Sequence, residues 1–121
     1  MEIVNINEIG EFQHTSIVKK VPILTEQIMT MLVCIDKNTA TAPHVHDEVD
    51  ELQYIVKGSG KITVGKKKVG LSSGMLILVP KSKSHFFSTS LEQLMVMSIS
   101  TLPESGLEFE KAQLAFTLVD G

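Results

Sequence analysis

Four side chains carry chemistry that their spacing makes joint. His44-Val45-His46 stands just ahead of Glu51, and a third histidine, His85, follows Pro80 further along the chain. On a strand, residues two apart point to the same face, so both imidazoles of the pair project to one side, about 6–7 Å apart along the backbone. Asp47, Glu48, Val49 and Asp50 form a loop that returns the chain, so that Glu51 opens the next strand beside the pair. Three neutral imidazoles and one carboxylate suit a divalent transition-metal ion such as Fe, Mn, Ni, Zn or Co. In an octahedral shell they leave positions for water, oxygen or a substrate. Taken singly, each residue has a plainer explanation. An HxH pair often sits on an exposed strand, and His85 before Phe86-Phe87 reads equally as a satisfied core histidine. The combination, with Pro43 and the turn glycines in agreement, selects the metal. The acidic run Asp47–Glu51 places four carboxylates beside two histidines, which makes a poor core and a good cation site.

Elements that position these groups are short apolar runs broken by Gly, Pro, Asn, Ser and Lys, the pattern of an all-β sandwich or barrel. The expected strands are 15–21, 28–36, 44–46, 51–57, 61–64, 67–71, 75–79, 84–89 and 93–101. Gly58-Ser59-Gly60 is expected as a turn between two strands, because glycine tolerates positive φ. Gly65 serves the next reversal, where Lys66, Lys67 and Lys68 solvate the tip. Residues 2–12 fit a strand or a short helix. Leu107–Val119 mixes both periods and receives no assignment.

At these residues the chain resembles the cupins, a family of β-barrels with two signature motifs. In the first, Asn38 stands at the leading glycine position, and His44, His46, Glu51 and Gly58 fall at the motif's spacing. In the second, Gly74, Pro80 and His85 match, while Ser82 replaces a glycine and Thr89 an asparagine. The motif region spans 38–89. The resemblance implies a double-stranded β-helix, or jelly roll, over 1–121 as one domain, with His44, His46, Glu51 and His85 as ligands of a central ion. It also implies dioxygenases, isomerases, epimerases and decarboxylases as members, and homodimers as common. The three departures fall on turns or a strand end. Asparagine accepts left-handed geometry; Ser82 puts the angle of the Pro80–His85 loop in question.

Strand parity nominates the surroundings of the ion. Glu51, Gln53 and Ile55 share a face, as do His85, Phe87 and Thr89. Met29, Met31, Val33 and Ile35 line one side of their strand; Met95, Met97 and Ile99 line one side of theirs. If these faces look inward, they form a mostly apolar cavity fit for a small organic molecule. Gln53, Phe87, Met31 and Met97 are the expected substrate contacts. Leu52, Tyr54 and Val56 occupy the opposite face, whose apolar character calls for a cover, either the terminal strands or a second subunit.

Composition narrows the partners. The 121 residues include 43% apolar and 21% charged side chains, the proportions of an ordinary globule. The net charge is -3 and all eleven basic residues are lysines, so nucleic acid is not an expected partner. No apolar run approaches the roughly 18 residues of a membrane helix. The N-terminus has no secretory pattern, and the one cysteine, Cys34, excludes an intrachain disulfide, so a cytoplasmic setting is expected. Phosphate-cradling loops and nucleophile elbows are absent. The resulting expectation is a metal-dependent, oxygenase-type enzyme acting on a small molecule. The alternative is a non-catalytic ligand-binding or sensing protein with an anchoring metal. Parity places no separate general base in the cavity, which favours metal-centred oxidation over base-driven epimerisation.

Overall fold

The computed structural model describes residues 1–101. The uncertain stretch Leu107–Val119 lies outside them. Seven antiparallel strands follow one short helix: α1 (Ile6–Ile9), β1 (Ile17–Lys20), β2 (Ile28–Ile35), β3 (Glu51–Val64), β4 (Lys67–Ser72), β5 (Leu76–Val79), β6 (His85–Ser88) and β7 (Leu94–Thr101). One sheet runs β1-β2-β7-β3 and adds β5 at the start of β3; the other places β4 and β6 on either side of the end of β3. The result is the double-stranded β-helix expected. Among the described residues, no helix is long and apolar enough to cross a membrane.

Three expectations are corrected. Gly58-Ser59-Gly60 is not a turn: β3 runs through it as one strand of 14 residues. Its first part pairs with β7 and β5, and its last part with β4 and β6. A register shift between Ile55 and Lys57 and a φ of +89° at Gly58 bend the strand from one sheet into the other. The glycine is required twice over, since a Cβ on Gly58 would lie 1.9 Å from the Gln93 carbonyl oxygen. The expected strand 44–46 is reduced to a single bridge, His44 with His85. Gly65, with φ of +59°, does sit in the β3–β4 turn. The N-terminal ambiguity resolves as helix, with the Asn5 side chain accepting from the Asn7 amide at its start.

Cross-strand rows explain where core ends and cavity begins. Residues paired across strands share a face. At the closed end, Ile35 of β2 pairs with Leu94 of β7; next, Val33 pairs with Val96, which pairs with Ile55. These aliphatic rows join Ile62, Leu71 and Phe87 in the core between the sheets. Burying such side chains stabilises the fold by about 1.5–3 kcal/mol each. In the next two inward rows polar residues replace aliphatic ones on β7 and β3: Met31–Ser98–Gln53, then Met29–Ser100–Glu51. Polar groups cannot fill a core as aliphatic ones do, and the barrel opens there.

A second apolar cluster lies on the outer face of the first sheet. Val18, Leu32, Cys34, Met95 and Met97 pack beneath Ile6, Ile9 and Phe12 of the N-terminal segment. Cys34 is thus a buried apolar side chain, as its mid-strand position suggested. The parity assigned to β7 is therefore wrong: Met95 and Met97 point away from the cavity. Met97 pairs with Leu32 and Tyr54, both outward, so it cannot be an inward contact. β7 carries apolar residues in both phases, and only its neighbours fix which phase faces in.

Candidate metal centre

Three of the four expected ligands converge. One donor atom each from His46, Glu51 and His85 lies within 4.8 Å of the others, so these residues could hold a metal ion. His46 Nε2 is 3.2 Å from one Glu51 carboxylate oxygen, and His85 Nε2 is 3.4 Å from the other. The donor types fit a divalent ion, since two imidazole nitrogens and a carboxylate oxygen are common ligands of such ions, and they lie close enough together to share one. His85 Nδ1 is buried with no hydrogen-bond partner, so the imidazole is not fixed by a second bond on that side. His44 lines the same cavity and lies edge-on to His85, ring centroids 5.9 Å apart, but its nitrogens are outside the converging trio.

The sheets supply these groups from two sides. Glu51 begins β3 in the first sheet, paired with Val79 and Ser100. His85 begins β6 in the second, paired with Val64. The His44–His85 bridge, with hydrogen bonds of 2.9 Å in both directions, lays the HxH segment along β6. The His46 carbonyl accepts from the Ser82 amide at 2.7 Å. Ser82 has φ of +68° and Asn38 φ of +50°, so both positions that lack the motif glycine need the left-handed conformation. Thr89, in the asparagine's place, ties down the Asn38 region: its hydroxyl donates to the Asp36 carbonyl and accepts from the Thr39 amide.

Of the acidic run, only Glu51 enters the site. Asp47, Glu48 and Asp50 are exposed, and Asp50 instead accepts from the Lys81 amide at 2.9 Å. The four carboxylates therefore do not form one cation site. Strand alternation and the burial of Val49 turn Glu51 in and leave the others in water.

Glu51 is oriented by a buried chain. The Ser98 hydroxyl donates to Gln53 Oε1, and Gln53 Nε2 donates to Glu51 Oε1. Gln53 and Glu51 are both buried. Such outer partners hold a ligating carboxylate in place. Burial pushes the Glu51 carboxyl up, but hydrogen bonds and charge from His46 and His85 outweigh it and bring it down to about 2. The hydrogen bond to Glu51 raises the His46 pKa, against burial. Burial, then the Lys19 charge and the neighbouring histidines, lower that of His44.

The cavity above the trio has a volume of about 240 Å³. Met29, Met31, Val33 and Phe87 form apolar walls, with Thr41 and Val45 beside the histidines. Gln53, Phe87 and Met31 thus lie where parity placed them. Met97 does not, and Ser98 occupies the inward position on β7. Lys19 also lines the cavity and was not anticipated. Alternation puts Lys19 in phase with Ile17, and only the packing of Ile17 against the inner core shows that this phase faces in.

A cupin-domain family model matches residues 31–100. An uncharacterised protein of Streptomyces coelicolor is 31% identical over 83 residues, 68% of this chain and 78% of that one. Among solved structures, a Thermus thermophilus protein superposes with a TM-score of 0.78 at 21% identity, covering 85% of this chain and 98% of that one. A Klebsiella pneumoniae protein described as having a double-stranded β-helix domain reaches 0.79 at 16% identity, covering 88% and 94%. A predicted oxalate decarboxylase of Thermotoga maritima reaches 0.59 at 18% identity, covering 64% and 68%. With the motif region, the barrel and the converging His–Glu–His trio all in agreement, the chain belongs to the cupin family.

Proposed function

We propose that the chain binds one divalent transition-metal ion through His44, His46, Glu51 and His85 and acts on a small organic molecule in the barrel, as an oxygenase-type enzyme. The convergence of two imidazoles and a carboxylate at the base of an apolar cavity carries this reading. His44 would complete the set, since it lines the same cavity and its backbone is bridged to His85. When bound, the ion supplies Lewis-acid polarisation or one-electron chemistry. Glu51 contributes the one negative charge of the set, and Gln53 and Ser98 keep its carboxylate aimed. Met29, Met31, Val33 and Phe87 exclude water and hold the apolar part of a ligand. Among the described residues lining the cavity, the titratable groups are the four candidate ligands and Lys19, so no carboxylate or histidine is left over to act as a separate base.

The test is dioxygen consumption by the iron(II)-loaded protein with a panel of small organic molecules that bind the cavity. Uptake above the ligand-free rate is expected for at least one of them. A bound ligand with no added uptake moves the assignment to the alternative, a non-catalytic binding or sensing protein in which the metal anchors the ligand.

The chain is further proposed to act as a homodimer. Ile28, Leu52, Tyr54, Leu76 and Leu78 are exposed on the outer face of the first sheet, at 36–62% each, beyond the reach of the N-terminal cover. An exposed apolar face of this kind suits a two-fold interface. Sedimentation equilibrium is expected to give twice the chain mass; a monomer at tens of micromolar would end this reading.

A further inference from the structure

The cavity wall beside the histidines holds a hydroxyl whose oxygen is fixed and whose proton is unspent. Residues 39–44 run along β6, bridged to it at Ala40–Ser88 and His44–His85. Between these bridges Thr41 is clamped to Phe87 twice. Its amide donates to the Phe87 carbonyl, and its Oγ1 accepts from the Phe87 amide, each at 2.9 Å. Both residues are buried, and both line the cavity. A threonine hydroxyl carries one proton and two lone pairs. The Phe87 amide occupies a lone pair and leaves the proton. Of the two hydroxyls in the described lining, Ser98 gives its proton to Gln53, while Thr41 has no acceptor for its own among the described residues. A buried donor without a partner is costly, so an acceptor brought by a ligand is favoured there.

We propose that Thr41 is a specificity residue of this cavity and donates a hydrogen bond to the carbonyl oxygen of a small aliphatic carbonyl compound. The proposal rests on the small-molecule reading above and names its substrate class. The clamp to Phe87 fixes the donor before a ligand arrives, so little order is lost on binding. A carbonyl oxygen accepts and brings no proton of its own, which matches a lone donor. A site built to hydrogen-bond its ligand discriminates against the analogue that lacks the bonding group. Met29, Met31, Val33 and Phe87 suit a hydrocarbon body. At about 30 Å³ per water, the cavity of about 240 Å³ holds roughly eight, so the ligand has about that many heavy atoms.

The experiment is NMR titration of the zinc-loaded native chain, Thr41→Val and Thr41→Ser with two ligands. One is cyclohexanone; the other is methylenecyclohexane, its isostere with a methylene in place of the oxygen. The alkene reports any change in cavity shape, so the ratio of the two affinities isolates the hydrogen bond. In Thr41→Val that ratio is expected to shift at least about threefold against the ketone, and in Thr41→Ser to stay within about twofold of native. A smaller shift in Thr41→Val, or an equal shift in Thr41→Ser, overturns the proposal and leaves the small-molecule reading standing. A native chain that binds the alkene and not the ketone does the same; one that binds neither overturns both. Should Thr41→Val not fold, the carbonyl stretch of cyclohexanone bound to the metal-free native chain decides: a value below that in hexane supports the proposal, and one equal to it overturns it. Zinc stoichiometry on the same samples reports on the metal reading separately.

Discussion

His46→Ala is expected to take up no zinc or iron(II) at concentrations that saturate the native chain, a loss of at least about a hundredfold in affinity. The reason is geometric. His46 is one of three groups that converge, and its loss leaves only Glu51 and His85 of that trio, with His44 the one other imidazole proposed for the set. The readout is independent of catalysis. At a hundredfold excess over Kd, a bound ion stabilises the native chain by about 2.7 kcal/mol, which for a domain of this size is on the order of 10 °C in Tm. His46→Ala should show neither that shift nor metal in elemental analysis. Gln53→Ala, which removes only the group that aims Glu51, should weaken uptake by about 10–100-fold without abolishing it. Uptake by the native chain should also fall as pH falls. His46 must be neutral to ligate, and its pKa is raised above 6.5 by Glu51, so protons compete below that raised value. Glu51, held near 2, stays ionised throughout that range. Full metal content in His46→Ala would show that the trio is not the site.

Gly58→Ala is expected to be the most damaging single-atom change in the barrel, at a cost of at least about 3 kcal/mol, a large share of a small domain's stability. Two penalties coincide there. The backbone sits at φ of +89°, and the added Cβ would meet the Gln93 carbonyl oxygen at 1.9 Å, its carbon at 2.9 Å and Leu94 Cα at 3.1 Å. Those atoms are backbone of the β6–β7 connection and of β7, which cannot rotate away as a side chain would. Gly65→Ala separates the two penalties. Its φ of +59° is also left-handed, but nothing lies within 4 Å of its Cβ, so it should cost only about 1–2 kcal/mol. Urea midpoints of the two variants provide the comparison. Equal losses would mean that conformation alone, and not close approach of β3 to β7, makes Gly58 necessary.

The chemistry-bearing residues were legible because they depend on local periodicity. His44 and His46 share a phase, Glu51 opens a strand after a polar loop, and His85 follows a proline at fixed spacing. None of these depends on which strands become neighbours. Gln53, Phe87 and Met31 were placed by the same alternation, since the strands of Gln53 and Phe87 each carry a candidate ligand that sets their phase, and Met31 lies in phase with Val33 and Ile35. The reversal at Gly65 and the exposed lysines of its tip also followed from residue type.

Tertiary structure decided the rest, for one physical reason: a strand's phase and extent are set by its partners. β7 reads Leu94-Met95-Val96-Met97 with apolar side chains in both phases. Only its pairing with Leu32 and Tyr54 turns Met97 outward and leaves Ser98 to hold Gln53. Gly58-Ser59-Gly60 carries the composition of a turn, yet pairing on both sides keeps it extended and makes it the bend that joins two sheets. Lys19 looks like one of two surface lysines until Ile17 is seen in the core. The sequence by itself thus determined which groups are the candidate ligands and that the fold is a β-barrel; the neighbours of each strand determined what else shares the cavity with them.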